Sequence, residues 1–197
     1  MNRRRQERLE KWAEELGGVF TLGDLRVLNG ELGEAGVYKK IQRLVEGGEL
    51  VKVKRGLYAL PSASLEAISA RIEPEAYVSM GTVLSRHLMI GSIPARRLQA
   101  VKLGVPRTYV CALGTIEHVS IAPHLFFGFE VVKGLRVATP EKAWLDACYY
   151  RTKGREFSFD LDSDVDRERL DEAVITSYLK AYDPRFRAVY ERTWRRP

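Results

Sequence analysis

The chain has 197 residues, of which 45% are apolar and 10% aromatic, and it carries a formal net charge of +6 at neutral pH. This composition supplies enough apolar surface for one ordinary core or two small ones, which excludes a disordered tail. No stretch approaches the roughly 20 uninterrupted apolar residues of a membrane-spanning helix, and the basic start lacks the apolar segment of a signal peptide, so we expect a cytoplasmic protein.

The positive charge favours a polyanionic partner. The pI is near 9.4, and lysine and arginine side chains that neutralise phosphates release condensed counterions, which strengthens binding. Charge alone does not identify the partner, since many basic proteins are merely soluble in this way. The arrangement of the basic residues along the chain is the more informative signal.

Cysteine and histidine spacing gives no sign of a metal or cofactor. Cys111 and Cys148 lie far apart and show neither CxxC spacing nor the pattern of a disulfide framework. His87, His118 and His124 have no metal-ligand spacing. We therefore expect no metal site and no cofactor.

Three helices are predicted at the start of the chain. Residues 4–16 place apolar side chains at the spacing of an amphipathic helix, which ends at a pair of glycines. A short second helix is expected from Thr21, whose hydroxyl can cap free backbone amides, to Leu28. The third should run from Glu34 to a second pair of glycines at residues 47 and 48.

The third helix should bury one stripe and expose a basic face. Side chains on an α-helix are offset by about 100° per residue, so apolar residues three and four apart share one side. The apolar stripe consists of Val37, Ile41, Leu44 and Val45, and the opposite face carries Lys39, Gln42 and Arg43, with Lys40 at its edge.

A β-hairpin with a basic tip follows. Residues 49–54 alternate apolar and charged side chains, and an apolar run resumes at residues 57–60 after Arg55 and a glycine. The next four residues, Pro-Ser-Ala-Ser, are typical of a linker. We therefore predict two domains, residues 1–62 and residues 63–197.

The second domain is predicted to be mixed α/β and to end in helices, which makes the chain α+β overall. Thr139, Pro140 and Glu141 combine a capping hydroxyl, a proline at the first helical position and a first-turn acid, a strong helix start signal. The other expected elements are helices at residues 65–72, 79–88, 167–181 and 184–194, and strands at residues 98–103, 109–113, 116–121 and 135–138, with a tight turn at Gly114 and Thr115.

Three helices followed by a basic hairpin are typical of a winged helix-turn-helix. In that fold the third helix enters the major groove, and the hairpin, or wing, reaches backbone phosphates. Arginine and lysine suit the acceptors of guanine, and glutamine suits adenine. We predict that Lys39, Gln42 and Arg43 read bases and that Tyr38, Lys40, Lys52, Lys54 and Arg55 contact phosphates.

Two other functions remain open. One is a metal-dependent nuclease or nucleotidyltransferase with a DNA-binding module, whose metal would bind in the cluster from Asp160 to Asp166, which includes Asp162 and Asp164. These residues mimic the start of a calcium loop, but Val165 stands where the loop requires glycine. A solvated loop in which Asp166 caps the next helix accounts for them better. The other function is a protein-interaction module that keeps the helix-turn-helix shape.

Several segments resemble the AbiEi family of antitoxins. The hairpin from Gly48 to Leu60, with its Arg-Gly-x-Tyr tip, is similar to the wing of those proteins. The resemblance continues at residues 77–79, Tyr-Val-Ser, and is strongest at residues 126–128, Phe-Phe-Gly, and 137–146, Val-Ala-Thr-Pro-Glu-Lys-Ala-Trp-Leu-Asp. The wing motif is common among winged helices, but its combination with the later signature is much more specific.

The resemblance implies a transcriptional repressor of its own toxin-antitoxin operon, bound through the winged helix to inverted repeats in double-stranded DNA. It also implies that the second domain acts as the antitoxin against a separately encoded nucleotidyltransferase toxin, without a stable complex between them. Such a protein is not an enzyme and has no catalytic residues.

Overall fold

The computed structural model describes residues 16–29, 33–91, 93–94 and 96–195. Nearly all of the helix predicted over residues 4–16 lies outside them. By Cα proximity the chain divides into two compact units: Met1–Pro74 with Thr108–Ile116, and Glu75–Arg107 with Glu117–Pro197. The division into functional domains at residue 62 stays a prediction.

Among the described residues, the first unit combines three helices with a small sheet. The predicted second and third helices and the hairpin are confirmed. Strand order in the sheet is β1-β3-β2, and both pairings are antiparallel. The elements are β1 (Val19–Thr21), α1 (Leu22–Leu28), α2 (Glu34–Glu46), β2 (Val51–Lys54), β3 (Leu57–Ala59) and α3 (Leu65–Ile72).

Helix α1 begins with a reciprocal cap. The Asp24 backbone N–H donates to Thr21 Oγ1 over 3.1 Å, and the Thr21 N–H donates to Asp24 Oδ2 over 2.7 Å. These two bonds satisfy amides that the first helical turn leaves without partners. Partial burial raises the pKa of Asp24. The hydrogen bonds from Thr21 and the guanidinium of Arg71 lower this pKa by more than burial raises it, so the net shift is downward.

Helix α3 packs in the first unit. The boundary predicted at residue 62 assigns this helix to the second domain. In the structure, however, Arg71 Nη2 lies 2.7 Å from Asp24 Oδ2 at the start of α1. A Cβ at Gly17, whose φ is +61°, would lie 3.1 Å from Ala67 Cβ. The positive φ and this close approach of the chain to α3 both favour glycine at position 17.

The core of the first unit is built from the apolar stripe of α2. Val37 and Ile41 are buried, and Leu44 and Val45 pack at the edge of the cluster. Their partners come from β1, α1, the residue before β2, and β3: Phe20, Leu25, Leu28, Leu50 and Tyr58. The buried stripe predicted for the third helix is confirmed.

The remaining strands form one six-stranded mixed sheet in the order β6-β7-β5-β4-β9-β8. Strand β4 is antiparallel to β5 and parallel to β9. The elements are β4 (Tyr77–Val78), α4 (Gly81–Arg86), β5 (Arg97–Lys102), β6 (Arg107–Cys111), β7 (Gly114–Ser120), β8 (Phe129–Val132), β9 (Leu135–Ala138), α5 (Pro140–Thr152), α6 (Glu172–Leu179) and α7 (Pro184–Thr193).

Two predictions for this region are wrong in detail. The turn predicted at Gly114 and Thr115 lies at residues 112–113 instead, and Gly114 and Thr115 are the first two residues of β7. The β-branched side chain of Thr115 favours a strand. The helix predicted over residues 79–88 is shorter because Met80, with φ +52°, precedes its first residue.

The helix predicted over residues 167–181 is two helices. Asp166 caps a short 3-10 helix by accepting from the Glu168 N–H, as expected for the acidic loop. Leu170 is then extended, and the Asp171 carboxylate accepts from the N–H groups of Ala173 and Val174 to start α6. An aspartate that binds nearby backbone amides favours a new helix start over an unbroken helix.

Helix α5 begins as its start signal predicts. Thr139 Oγ1 accepts from the Lys142 N–H, and Pro140 occupies the first position. Most of the helix is buried, including its charged residues Lys142 and Asp146. None of the helices in the described part of the chain has the length and apolar character needed to cross a bilayer.

Candidate nucleic-acid interface

Helix α2 presents an exposed face opposite its buried stripe. The side chains that this face exposes include Tyr38, Lys39, Gln42, Arg43 and the acidic Glu46. Gln42 Nε2 donates to Glu46 Oε1 over 3.0 Å on the same face. The face offers guanidinium, ammonium, amide and phenol groups, which are the donors and acceptors that read base edges and phosphates.

Lys40 differs from its neighbours because it is half-buried. Its Nζ donates to Asn29 Oδ1 over 2.8 Å, and Asn29 Nδ2 donates to the carbonyl of Leu25 over 2.7 Å. This chain of bonds connects α2 to the end of α1. The predicted phosphate contact of Lys40 stays a prediction, and the structure gives the residue a tethering role as well.

The wing carries its basic side chains outward. Val53 is buried, whereas Lys52 and Lys54 are exposed on β2. Arg55 is exposed in the turn beside Gly56, whose φ of +76° is a conformation that favours glycine. The pairing of β2 with β3 shifts register between Lys52 and Lys54. A bulge of this kind increases the local twist of the hairpin.

Two basic side chains at this interface, Arg26 and Lys54, make contacts that the sequence did not predict. Arg26, in the last turn of α1, forms an ion pair with Glu34 and lies 5.8 Å from the centre of the Tyr38 ring. Lys54 Nζ lies 6.0 Å from the ring centre of Tyr109, which belongs to the same compact unit. Both rings are attracted to the cations electrostatically. The second contact joins residues far apart in sequence, which no local pattern reveals.

The segment with the strongest predicted resemblance, residues 137–146, contains a buried ion pair instead of an exposed site. Lys142 Nζ donates to Asp146 Oδ1 over 2.6 Å, and neither side chain is accessible to solvent. Tyr77 and Ser79 donate to Asp146 Oδ2 over 3.0 and 2.7 Å. Lys142 Nζ also donates to the Tyr182 hydroxyl over 3.0 Å. The pair connects β4, α5 and the segment before α7.

Aromatic rings complete the surroundings of this pair. Lys142 Nζ lies 4.8 Å from the ring centre of Phe127 and 5.4 Å from that of Tyr182. Burial raises the pKa of Asp146, while the ammonium of Lys142 and the hydroxyls of Ser79 and Tyr77 oppose that rise. Burial and the nearby Asp146 also raise the pKa of Tyr77 well above its ordinary value. The arrangement is a satisfied structural network.

The acidic loop uses its carboxylates on its own backbone. Asp160 Oδ1 accepts from the N–H groups of Asp162 and Ser163, and these bonds lower the pKa of Asp160. Asp164 Oδ2 accepts from the Asp160 N–H, and Asp162 Oδ1 accepts from Trp194 Nε1. Among the described residues, no three histidine, cysteine or acidic side chains form a group that could hold a metal ion.

Comparison with known proteins shows a family similarity in the first part of the chain. Residues 7–61 match the family model of the AbiEi antitoxin transcriptional regulators. This segment contains α1, α2 and the wing, and the match confirms the resemblance predicted from the sequence for it. A search of the curated proteins finds no match.

A solved structure shares the fold over most of the chain. The crystal structure of the RV2827C protein from Mycobacterium tuberculosis aligns with a TM-score of 0.58 and 15% sequence identity, covering 89% of this chain and 70% of that one. This likeness extends beyond the winged helix and supports an α+β fold for the whole chain.

Proposed function

We propose that this chain, with an AbiEi-type regulator segment at its start, is a sequence-specific DNA-binding transcriptional repressor that acts as the antitoxin of its own operon. The observation that carries the proposal is the exposed face of α2 in the same compact unit as a wing with three exposed basic residues. A helix of this kind enters the major groove, and a wing contacts the flanking backbone.

The residues divide into two roles. Lys39, Gln42 and Arg43 read base edges, because bidentate donors and amides distinguish guanine and adenine. Phosphate contacts come from Tyr38, Lys40, Lys52, Lys54 and Arg55. These contacts provide affinity that depends on salt but carries no sequence information. The ligand is an inverted repeat in double-stranded DNA, with one winged helix on each half-site.

The antitoxin activity belongs to the second domain in this proposal. Its target is a separately encoded nucleotidyltransferase toxin, and neutralisation proceeds in the cytoplasm without a stable complex. The protein itself performs no catalysis. The carboxylates of the acidic loop support that view, since they bind backbone amides and an indole within the chain.

A promoter fusion tests the repressor role. The DNA upstream of the coding sequence is placed before a reporter gene, and the full chain is supplied in trans. Wild type should repress the reporter and Arg43→Ala should lose most of that repression. Arg187→Ala, which removes an exposed arginine of α7, should repress like wild type. Equal expression with and without the wild-type protein would refute the proposal.

The same variants separate the two activities. Arg43→Ala should still neutralise a nucleotidyltransferase toxin encoded next to this gene, because the substitution leaves the second domain intact. Growth of cells that express the toxin, with and without each full-length variant, measures neutralisation. Failure of wild type to restore growth would remove the antitoxin part of the proposal and leave the repressor part standing.

A further inference from the structure

A stretch of the chain outside the winged helix is basic and contains no acid. Residues 76–116 include five lysine or arginine residues and no aspartate or glutamate, so they carry a formal charge of +5. Arg97 is paired with Glu117 over 3.4 Å, and the remaining excess creates a positive potential that attracts polyanions. The basic residues are Arg86, Arg96, Arg97, Lys102 and Arg107.

The loop between β5 and β6 places apolar side chains between two of these cations. Lys102 ends β5 and Arg107 begins β6. Between them Leu103 is 43% exposed, Val105 is 69% exposed, and Pro106 is exposed as well. Gly104, with φ +80°, and Pro106 are typical turn residues, but the turn does not require the exposed Leu103 and Val105. Here the tip is apolar and its two ends are basic.

This combination matches the chemistry of a DNA minor groove. Minor-groove proteins insert apolar wedges such as leucine and proline between base steps, and lysine or arginine contacts the phosphates on either side. We propose that the loop is a second DNA contact. This inference rests on the proposed function, which supplies DNA as the ligand. Leu103 and Val105 enter the minor groove, and Lys102 and Arg107 bind flanking phosphates.

Binding titrations with matched variants test the loop. The full chain is titrated with its own upstream DNA and with a scrambled duplex of equal composition, at several salt concentrations. Leu103→Ser/Val105→Ser is compared with Val131→Ser/Val132→Ser, a control that removes two valines of β8 that are 68% and 50% exposed. Arg107→Ala is compared with Arg187→Ala, another exposed arginine.

The loop variants should weaken binding in different ways. Leu103→Ser/Val105→Ser should bind roughly tenfold more weakly without changing the dependence on salt, because it removes apolar contacts. Arg107→Ala should reduce the slope of log affinity against log salt by about one, because one phosphate contact is lost. Both control variants should bind like wild type.

A change confined to the minor groove adds a direct readout. Replacing the G·C pairs outside the inverted repeats by inosine·cytosine removes the guanine N2 amino group and leaves the major-groove pattern intact. Wild type should then bind several-fold more tightly, and Leu103→Ser/Val105→Ser should not respond.

The outcomes distinguish the inference from the proposed function. If the loop variants bind the upstream DNA like their controls, the inference is overturned. The proposed function still stands in that case if wild type prefers the upstream DNA to the scrambled duplex. The inference would also be overturned if wild type bound phosphatidylserine vesicles and the loop variants lost that binding while they bound DNA like wild type. That result would assign the loop to a membrane surface. Equal wild-type affinity for upstream and scrambled DNA would instead refute the proposed function.

Discussion

Lys142 and Asp146 form an ion pair one helical turn apart in which both side chains are fully buried, with Nζ and Oδ1 2.6 Å from each other. Desolvating two charges is costly, and only a complete set of partners compensates for it. Tyr77, Ser79 and Tyr182 supply those partners. These two charged residues therefore hold strands and helices of the second unit together.

Breaking this pair from one side should be severely destabilising. Lys142→Met or Asp146→Asn should lower the free energy of unfolding by about 3–5 kcal/mol, because each leaves a buried polar group without its partner. Chemical denaturation measures the change. The exposed pair Glu191 and Arg195 has the same four-residue spacing, and Arg195→Ala should leave the free energy of unfolding nearly unchanged. Similar losses at both pairs would contradict the structural role of the buried one.

Gly128→Ala should destabilise the same region by a steric mechanism. Gly128 has φ +72°, and a Cβ there would lie 3.0 Å from Lys142 Cβ and 3.1 Å from the Tyr178 ring. Gly134 has φ +78° with nothing within 4 Å, so Gly134→Ala controls for backbone strain alone. Strain costs about 1 kcal/mol or more, and the clash should add a further 1–3 kcal/mol at Gly128. Equal melting temperatures for the two variants would show that the clash is absent.

Stability should fall in mild acid because of His118. This side chain is 2% exposed, and burial, followed by the charge of Lys102, lowers its pKa from 6.5 to about 4. At a pH between about 4 and 6.5, the His118 side chain is protonated in the unfolded chain but not in the folded chain. Stability is therefore complete above pH 6.5 and declines as the pH falls toward 4, by at most about 3 kcal/mol.

Urea denaturation across that pH range checks the decline. His118→Gln should flatten the pH dependence, and His124→Gln, which changes an exposed histidine, should retain the wild-type profile. Identical profiles for wild type and His118→Gln would show that another group is responsible.

Divalent metals should not stabilise the protein. A metal bound only by the folded state must raise the melting temperature, and the carboxylates of Asp160, Asp162 and Asp164 are already hydrogen-bonded within the chain. Melting with and without millimolar Mg²⁺, Mn²⁺ or Ca²⁺ should give the same midpoint. A saturable increase that Asp162→Asn abolishes would revive the metal-dependent enzyme as a function.

Local signals predicted the helices better than the strands. The cap at Thr21 and the Thr-Pro-Glu start at residue 139 act through neighbours within four residues, so sequence alone identifies both helices. Strands β1 and β8 are only three and four residues long, and β1 exists because it pairs with β3 later in the chain. Pairing of that kind has no local pattern.

The same distinction applies to the candidate sites. The exposed face of α2 follows from helical periodicity, so the positions of Lys39, Gln42 and Arg43 were predictable. Lys142 and Asp146 have the spacing of a solvent-exposed helical pair, and their burial depends on Tyr77 and Tyr182, which are distant in sequence. Tertiary partners decided the environment of these two charges.

The salt dependence of binding to the upstream DNA is the decisive test of DNA recognition by α2 and the wing. Arg55→Ala removes a phosphate contact from the wing, so affinity should fall for cognate and random duplexes alike, and the slope of log affinity against log salt should decrease by about one. Arg43→Ala should instead lose about 1–3 kcal/mol of discrimination at one base pair. An unchanged slope for Arg55→Ala, together with equal losses on both duplexes for Arg43→Ala, would contradict DNA reading by α2 and the wing.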